Sequence, residues 1–290
     1  MSVSVVISTH RRPDLLARCL SSLRALQPLP CEVIVVENAA TGAQVVADRF
    51  GARYIAELRP GLSRARNTGA RHARGDIVAF LDDDTTVDPG WLHAIVTEFS
   101  DRSVMAVAGQ VLPGAGSPDA WNFQRSDRRV VANTDEDWFE VTNFGGVGNG
   151  ANIAVRRTAF GVWPGFDERL GAGRLLASSE EHNAFFKLVR LGFRVVSTPH
   201  ALVFHDASAS SRSSRKRSLQ ATYGAAYLLL LVIEERGYRW RALRYGLEAL
   251  VRKRRSWRPA TEPPPRPHLI AQLTTVLHAS TIAIRTTTAG

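Results

Sequence analysis

"DIVAFLDDDTTVDPGW" (residues 76–91) sets an apolar, strand-like run directly against three adjacent carboxylates, Asp82, Asp83 and Asp84. Like charges at that spacing repel, and the end of a buried strand is a poor place to solvate all three. Along an extended segment the side chains at 82 and 84 point to one face and that at 83 to the other. Hard carboxylate oxygens suit Mg²⁺ or Mn²⁺, which take one or two protein carboxylates and complete their shell with substrate phosphates. A solvated acidic turn capping the next helix is the alternative left open by these residues alone.

Working outward, "VSVVIST" (3–9), "EVIVVEN" (32–38), "ARYIAEL" (52–58), "DIVAFL" (76–81) and "VMAVAGQV" (104–111) read as strands rich in β-branched residues. Helical spacing separates them: Leu15, Leu16, Cys19, Leu20 and Leu23 behind Pro13, then "TGAQVVADRF" (41–50), "LSRARNTGARHA" (62–73) and Pro89–Phe99. Strand–helix alternation predicts right-handed crossovers and a mainly parallel, Rossmann-like α/β sheet. Ligands of such sheets sit outside the carboxyl ends of the strands, where Thr9–Arg11, Glu37–Asn38 and Asp82–Asp84 fall. Residues 112–150, rich in Gly, Asn, Asp and aromatics, read as a long substrate loop. "ANIAVRR" (151–157), "SEEHNAFFKLVRL" (179–191), "FRVVST" (193–198) and "ALVFH" (201–205) then restore strand, helix, strand and strand patterns.

The chain has 290 residues, is 44% hydrophobic and carries a net charge of +10. That suits one large α/β domain with an appendage and excludes a disordered chain. Two cysteines are too few for a disulfide framework, and Cys19 on the apolar stripe of a helix reads as a reduced, buried thiol. No secretory signal is expected, because the sequence enters a strand at once without a basic leader. "YGAAYLLLLVI" (223–233) falls short of the roughly 20 residues that span a bilayer. The expected location is therefore cytoplasmic, with peripheral membrane contact. The charge is lopsided: residues 206–290 hold 15 Lys/Arg against 5 Asp/Glu, and residues 1–205 are balanced. An anionic membrane surface fits "YLLLLVI" followed by "RWRALRYGLEALVRKRRSW" better than nucleic acid does, and ordinary packing of these helices on the catalytic domain is the alternative left open. Within this region "SASSRSSRKR" (208–217) reads as a hinge and "PATEPPPRP" (259–267) as a break.

Taken in order, "VSVVISTHRRPDLLARCLSSL", "VIVVEN", "GLSRARNTGARHARGDIVAFLDDDT" and "FDERLGAG…EEHNAFFKLVRLGFRVV…ALVFH" resemble the family 2 glycosyltransferases of the GT-A fold over residues 3–205. The resemblance implies a catalytic domain at 1–205, with a nucleotide-binding half at 1–111 and an acceptor half at 112–205. A basic helical extension, 206–290, follows. It implies transfer of a sugar from a nucleoside diphosphate donor to a hydroxyl of a glycan, lipid-linked or small-molecule acceptor, with inversion and with Mn²⁺ or Mg²⁺ as cofactor. By the same resemblance Thr9, Arg11, Glu37 and Asn38 hold the base and ribose. Arg64 and Asn67 line the diphosphate side, with Arg59 a weaker candidate, and Gly150 and Asn152 lie along the sugar. Asp82 and Asp83 belong to the donor site, Asp84 ligates the metal with Asp82 beside it, and His205 completes the metal site, His200 being the competitor. Glu181 is the implied base that takes the acceptor proton, with Glu180 the second choice. Trp163, Phe166 and Asp167 are assigned to the acceptor. The chain departs from the family pattern at Glu37 and at "EEHN", where Asp is usual.

Two rival readings start from the same residues. "DDDTT" also satisfies the D-x-D-x-T loop of haloacid dehalogenase-type phosphatases, but that loop follows a first strand and needs a later lysine. Lys187, Lys216 and Lys253 are not so placed. A degenerate transferase that binds nucleotide sugar without turnover draws on "EEHN". No G-K-[ST] phosphate loop exists, and "GVGNGA" (146–151) lacks a preceding strand.

Overall fold

The computed structural model describes residues 1–38, 42–114, 127–205 and 214–255, with side chains omitted at 214–221 and 249–255. Most of the anticipated hinge and all of the Pro-rich break lie outside them. One compact unit comprises Met1–Arg174 with Glu180–Arg212, and a second comprises Leu175–Ser179 with the chain from Ser213 onward.

The first unit is built on a nine-stranded sheet. β1 (Val3–Thr9), β2 (Glu32–Asn38), β3 (Arg53–Glu57) and β4 (Ile77–Asp82) are followed by the short β5 (Thr85–Val87). β6 (Val104–Pro113), β7 (Arg129–Val131), β8 (Asn152–Arg156) and β9 (Arg194–His205) complete it. The order is β3-β2-β1-β4-β8-β6-β9-β5, with β7 also on β9. Parallel pairing holds across β3-β2-β1-β4 and between β6 and β9. β8 runs antiparallel between β4 and β6, and β5 and β7 run antiparallel to β9. The sheet is thus parallel in its first half and mixed in its second.

Central strands are buried on both faces, and their apolar runs are the reason: Val5, Ile7, Val35, Ala79 and Leu81 have no more than 1% exposure. α1 (Pro13–Arg24) buries Leu16, Cys19, Leu20 and Leu23 at helical spacing. α2 (Ala43–Arg49) and α4 (Trp91–Glu98) follow β2 and β5. α3 (Leu62–His72) presents a face of small residues and lies close on the sheet, so that a Cβ on Gly69 would sit 2.2 Å from Val6 Cγ1. Within the expected loop, α5 (Trp138–Asn143) forms a helix, because Trp138 and Phe139 pack on Phe186 of α6 (Glu180–Arg190). β9 fuses the two strands read separately at 193–198 and 201–205, and a register irregularity against β6 absorbs the interruption at Pro199.

The second unit contains α7 (Ser214–Glu234) and α8 (Arg239–Arg255). Among the described residues no helix is long and apolar enough to cross a membrane.

Candidate active site

The chain reverses within two residues at the end of β4. Thr85 Oγ1 donates to the Asp82 carbonyl at 2.7 Å and closes that turn. β5 then pairs antiparallel with β9, placing Thr85 opposite His205. This register brings the end of β9 to the aspartates: His205 Nε2 lies 3.2 Å from Asp84 Oδ1. His200 lies earlier on β9 and is exposed.

Asp83 turns inward. It is buried and accepts from Thr9 Oγ1 at 2.7 Å and from Arg12 Nη1 at 3.2 Å. Burial raises its pKa to about 6, against the pull of Thr9 and Arg12. Arg12 Nη1 also reaches Asp84 Oδ2 at 2.9 Å. Burial opposes the charge on Asp84, but His205 and Arg12 outweigh it and hold its pKa below the ordinary carboxylate value.

A second charge cluster lies deeper. Arg66, on the packed face of α3, has 1% exposure. Its Nη2 donates to Asp82 Oδ1 at 2.9 Å and to the Gly150 carbonyl at 2.7 Å, and Nη1 donates to Glu180 Oε1 at 3.0 Å. The guanidinium stands 5.4 Å from the Phe166 ring centre. One cation therefore ties α3, the end of β4, the approach to β8 and the start of α6 together. A Cβ at Gly150 would meet Arg66 Nη2 at 3.1 Å and Glu180 Oε1 at 3.3 Å, which is why a residue without a side chain suits that position. Burial and then the neighbouring Glu181 raise the Glu180 pKa to about 7, against Arg66. Glu181 is partly exposed, and burial raises its pKa also.

A cavity of about 400 Å³ opens at the carboxyl ends of β1, β2 and β4, within the size range of small-ligand sites. Thr9, Asn38, Asp82, Asp83 and Asp84 line it, with Ser8, His10, Arg12 and the backbone at Gly61 and Gly173. Asn38 Oδ1 accepts from the Gly61 amide at 2.8 Å and so fixes the wall of this cavity.

Other expected site residues have different surroundings. Arg11 is exposed in a left-handed conformation (φ 55°), and the next residue, Arg12, meets the aspartates. Glu37 is buried and accepts from the Ala43 amide at 3.1 Å and Tyr54 Oη at 2.8 Å, so it joins α2 and β3 to β2. Arg59 is exposed and paired with Glu57. Arg64 pairs with Glu168 at 2.7 Å, and Asn67 exchanges two 2.8 Å hydrogen bonds with the Phe166 backbone. Both therefore anchor the 163–173 loop to α3. Asn152 is buried in the sheet, accepting from Trp91 Nε1 and donating to the Gln110 and Ala201 carbonyls, each at 2.9 Å. Trp163 and Phe166 have 0% and 2% exposure and pack edge to face, so neither offers a stacking surface to an acceptor. Asp167 pairs with Arg169 at 2.6 Å and lies 3.8 Å from Lys187. Sequence reasoning passed over Arg12 and Arg66, although each sits within two residues of an arginine it nominated.

The residues present fit a divalent cation shared with a substrate. Asp84 Oδ1 is buried and lies 3.2 Å from His205 Nε2, so a carboxylate oxygen and an imidazole nitrogen, both able to ligate a metal, converge on one point. Asp82 is engaged by Arg66. Among the described residues no cluster of three or more His, Cys, Asp or Glu side chains is arranged to hold a metal. Two protein ligands are what Mn²⁺ or Mg²⁺ needs when diphosphate oxygens supply others.

The glycosyl transferase family 2 model matches residues 4–162. The pre-mycofactocin glycosyltransferase of Mycobacterium tuberculosis is 30% identical over 237 residues, covering 79% of this chain and 47% of the relative. The glucosyl-dolichyl phosphate glucuronosyltransferase of Haloferax volcanii is 30% identical over 187 residues, covering 59% of this chain and 58% of the relative. The chain thus spans about half the length of these curated relatives. In structure it resembles a mannosyltransferase from Pyrobaculum calidifontis solved with GDP-Man and Mn²⁺, with TM-score 0.60, 18% identity and coverage of 97% of this chain and 80% of the other. It also resembles glucosyl-3-phosphoglycerate synthase from M. tuberculosis solved with Mn²⁺, UDP and phosphoglyceric acid, with TM-score 0.54, 16% identity and coverage of 79% and 77%. With a family match over more than half its length and a sheet that superposes on these structures, the chain belongs to glycosyl transferase family 2 and has the GT-A fold.

Proposed function

We propose that the protein transfers a sugar from a nucleoside diphosphate donor to an acceptor hydroxyl, with inversion and with a divalent cation held by Asp84 and His205. The observation that carries this reading is the convergence of His205 and Arg12 on Asp84, which with Arg12 lines the 400 Å³ cavity. Two structurally similar proteins, each bound to a nucleotide and Mn²⁺, agree with it. A bound Mn²⁺ or Mg²⁺ would offset the charge that gathers on the leaving diphosphate. Thr9 and Asn38 define the donor wall, and Asp82 is held toward it by Arg66. Arg12 neutralises Asp83 and Asp84, and a divalent ion held at Asp84 would free its guanidinium to face the diphosphate. Guanidinium is suited to both partners. Glu181 takes the acceptor proton as the hydroxyl oxygen attacks the anomeric carbon from the face opposite the leaving group. Glu180 is committed to Arg66, whereas Glu181 is partly exposed and its raised pKa makes it a stronger base. The basic C-terminal region meets an anionic membrane surface and so favours a lipid-linked acceptor, as the dolichyl phosphate in the name of one relative suggests.

Calorimetry with UDP, GDP, dTDP and CDP, each with and without Mn²⁺, tests this on wild type and Asp84→Ala. Tight binding of one nucleotide that requires Mn²⁺ and disappears in Asp84→Ala is expected. Absence of metal-dependent binding to all four would overturn the reading.

A further inference from the structure

In the second unit α8 commits one face to α7. Ala242 is fully buried, and a Cβ at Gly246 would lie 2.7 Å from Leu228 Cδ2. The other face carries Trp240, Leu243 and Leu247, which recur at i, i+3 and i+7 and form one stripe. They are 78%, 38% and 64% exposed. Single exposed apolar residues are ordinary, but three large ones in one row mark an interaction surface.

The surroundings favour an anionic lipid surface as occupant. Arg236 and Arg244 are exposed near the stripe, Arg239 is half-buried, and Glu248 lies 3.8 Å from Arg244. The sequence runs on into "RKRR" (252–255), within a region of 15 Lys/Arg against 5 Asp/Glu. An apolar protein groove needs no such excess of positive charge, whereas an anionic bilayer offers acyl chains and negative headgroups together. Trp is the side chain suited to that boundary, with an apolar body and an N–H for the wet side. We propose that α8 lies in the plane of an anionic bilayer, with Trp240, Leu243 and Leu247 below the headgroups and the flanking arginines among them. This rests on the membrane contact proposed above and assigns it to one helix face.

The test uses the full chain, co-sedimented with vesicles of pure phosphatidylcholine and of equimolar phosphatidylcholine and phosphatidylglycerol. Wild type is compared with a Trp240→Ser, Leu247→Ser double variant, whose unchanged melting temperature shows that the exposed substitutions leave the fold intact. Wild type should bind only the anionic vesicles, and the variant should bind about tenfold more weakly or worse, since apolar burial supplies part of the affinity. Residual variant binding should vanish in high salt, while wild-type binding persists in part. Equal binding by variant and wild type would overturn the α8 assignment and leave the basic region as the membrane contact. No wild-type binding to anionic vesicles would overturn both. A wild-type dimer that the double variant dissociates, without vesicle binding, would give the stripe to a second copy of the chain.

Discussion

Arg66 and Arg12 show what a sequence conceals at the scale of one residue. "SRARN" offers two arginines on one helix, and only the packing of α3 decides that Arg66 faces the sheet while Arg64 reaches Glu168. The aspartates were legible because three acids in a row after a buried run have few structural uses. Their partner Arg12 was not, since an ion pair spanning some seventy residues leaves no local pattern. The proposed base gives one prediction at this scale. Glu181→Gln should lower kcat by about 10²–10⁴ while nucleotide binding, followed by calorimetry, stays unchanged. Because burial raises the Glu181 pKa, the wild-type rate should climb with pH through a midpoint above the ordinary glutamate value. Transfer that survives in Glu181→Gln would move the base elsewhere. Arg12 gives another. It occupies Asp84 in competition with a metal ion, so Arg12→Gln should bind Mn²⁺ without nucleotide about two- to fivefold more tightly, the size of a partly exposed ion pair. The same variant should bind nucleotide more weakly when Mn²⁺ is present. Unchanged or weaker Mn²⁺ affinity would show that Arg12 is only packing against the turn.

Strands and helices were readable wherever periodicity ran long enough. β1 and β2 fall at the expected residues, and α1 and α3 to within one turn, because their patterns are continuous. α5 was missed because six residues give less than two turns of period, and its stability comes from Phe186 and not from its own sequence. Asn152 is the case where an element overrode a reading. The family resemblance implied a sugar contact for it, yet it is the polar pin of the sheet. β8, β6, β9 and α4 all meet at its amide. Gly109 is opposite, where a Cβ would lie 2.2 Å from Asn152 Nδ2, so the strands close on the amide with no room for a substitute. Asn152→Leu should therefore strand the Trp91 N–H and two carbonyls and cost about 3 kcal/mol or more. Urea unfolding measures it, and a loss below about 1 kcal/mol would show that water replaces the amide.

At the scale of the whole molecule, charge and titration act together. The excess of positive charge beyond residue 205 was visible in composition alone, but the protonation balance of the catalytic unit was not, because it depends on burial. Asp83 and Glu180 have pKa values raised to about 6 and about 7. Unfolded carboxyls titrate near about 4. Between those limits the folded chain keeps protons that the unfolded chain has released, so stability falls as pH rises through the window. Glu57 and Asp167 act in the other direction: hydrogen bonds from Arg59 and Arg169 outweigh their burial and lower their pKa values. Their contribution is present above about 4 and is lost only on further acidification. Metal-free protein in chelator should accordingly be most stable near pH 5, and its melting temperature should drop by several degrees on going to pH 8. Glu180→Gln keeps an acceptor for Arg66 but removes the buried proton equilibrium. Its melting temperature should change less over the same range and should exceed the wild-type value least at pH 5. An identical slope in the two proteins would mean that Glu180 stays charged against Arg66 throughout, and that the Arg66 cluster holds its two carboxylates as a permanent ion triad.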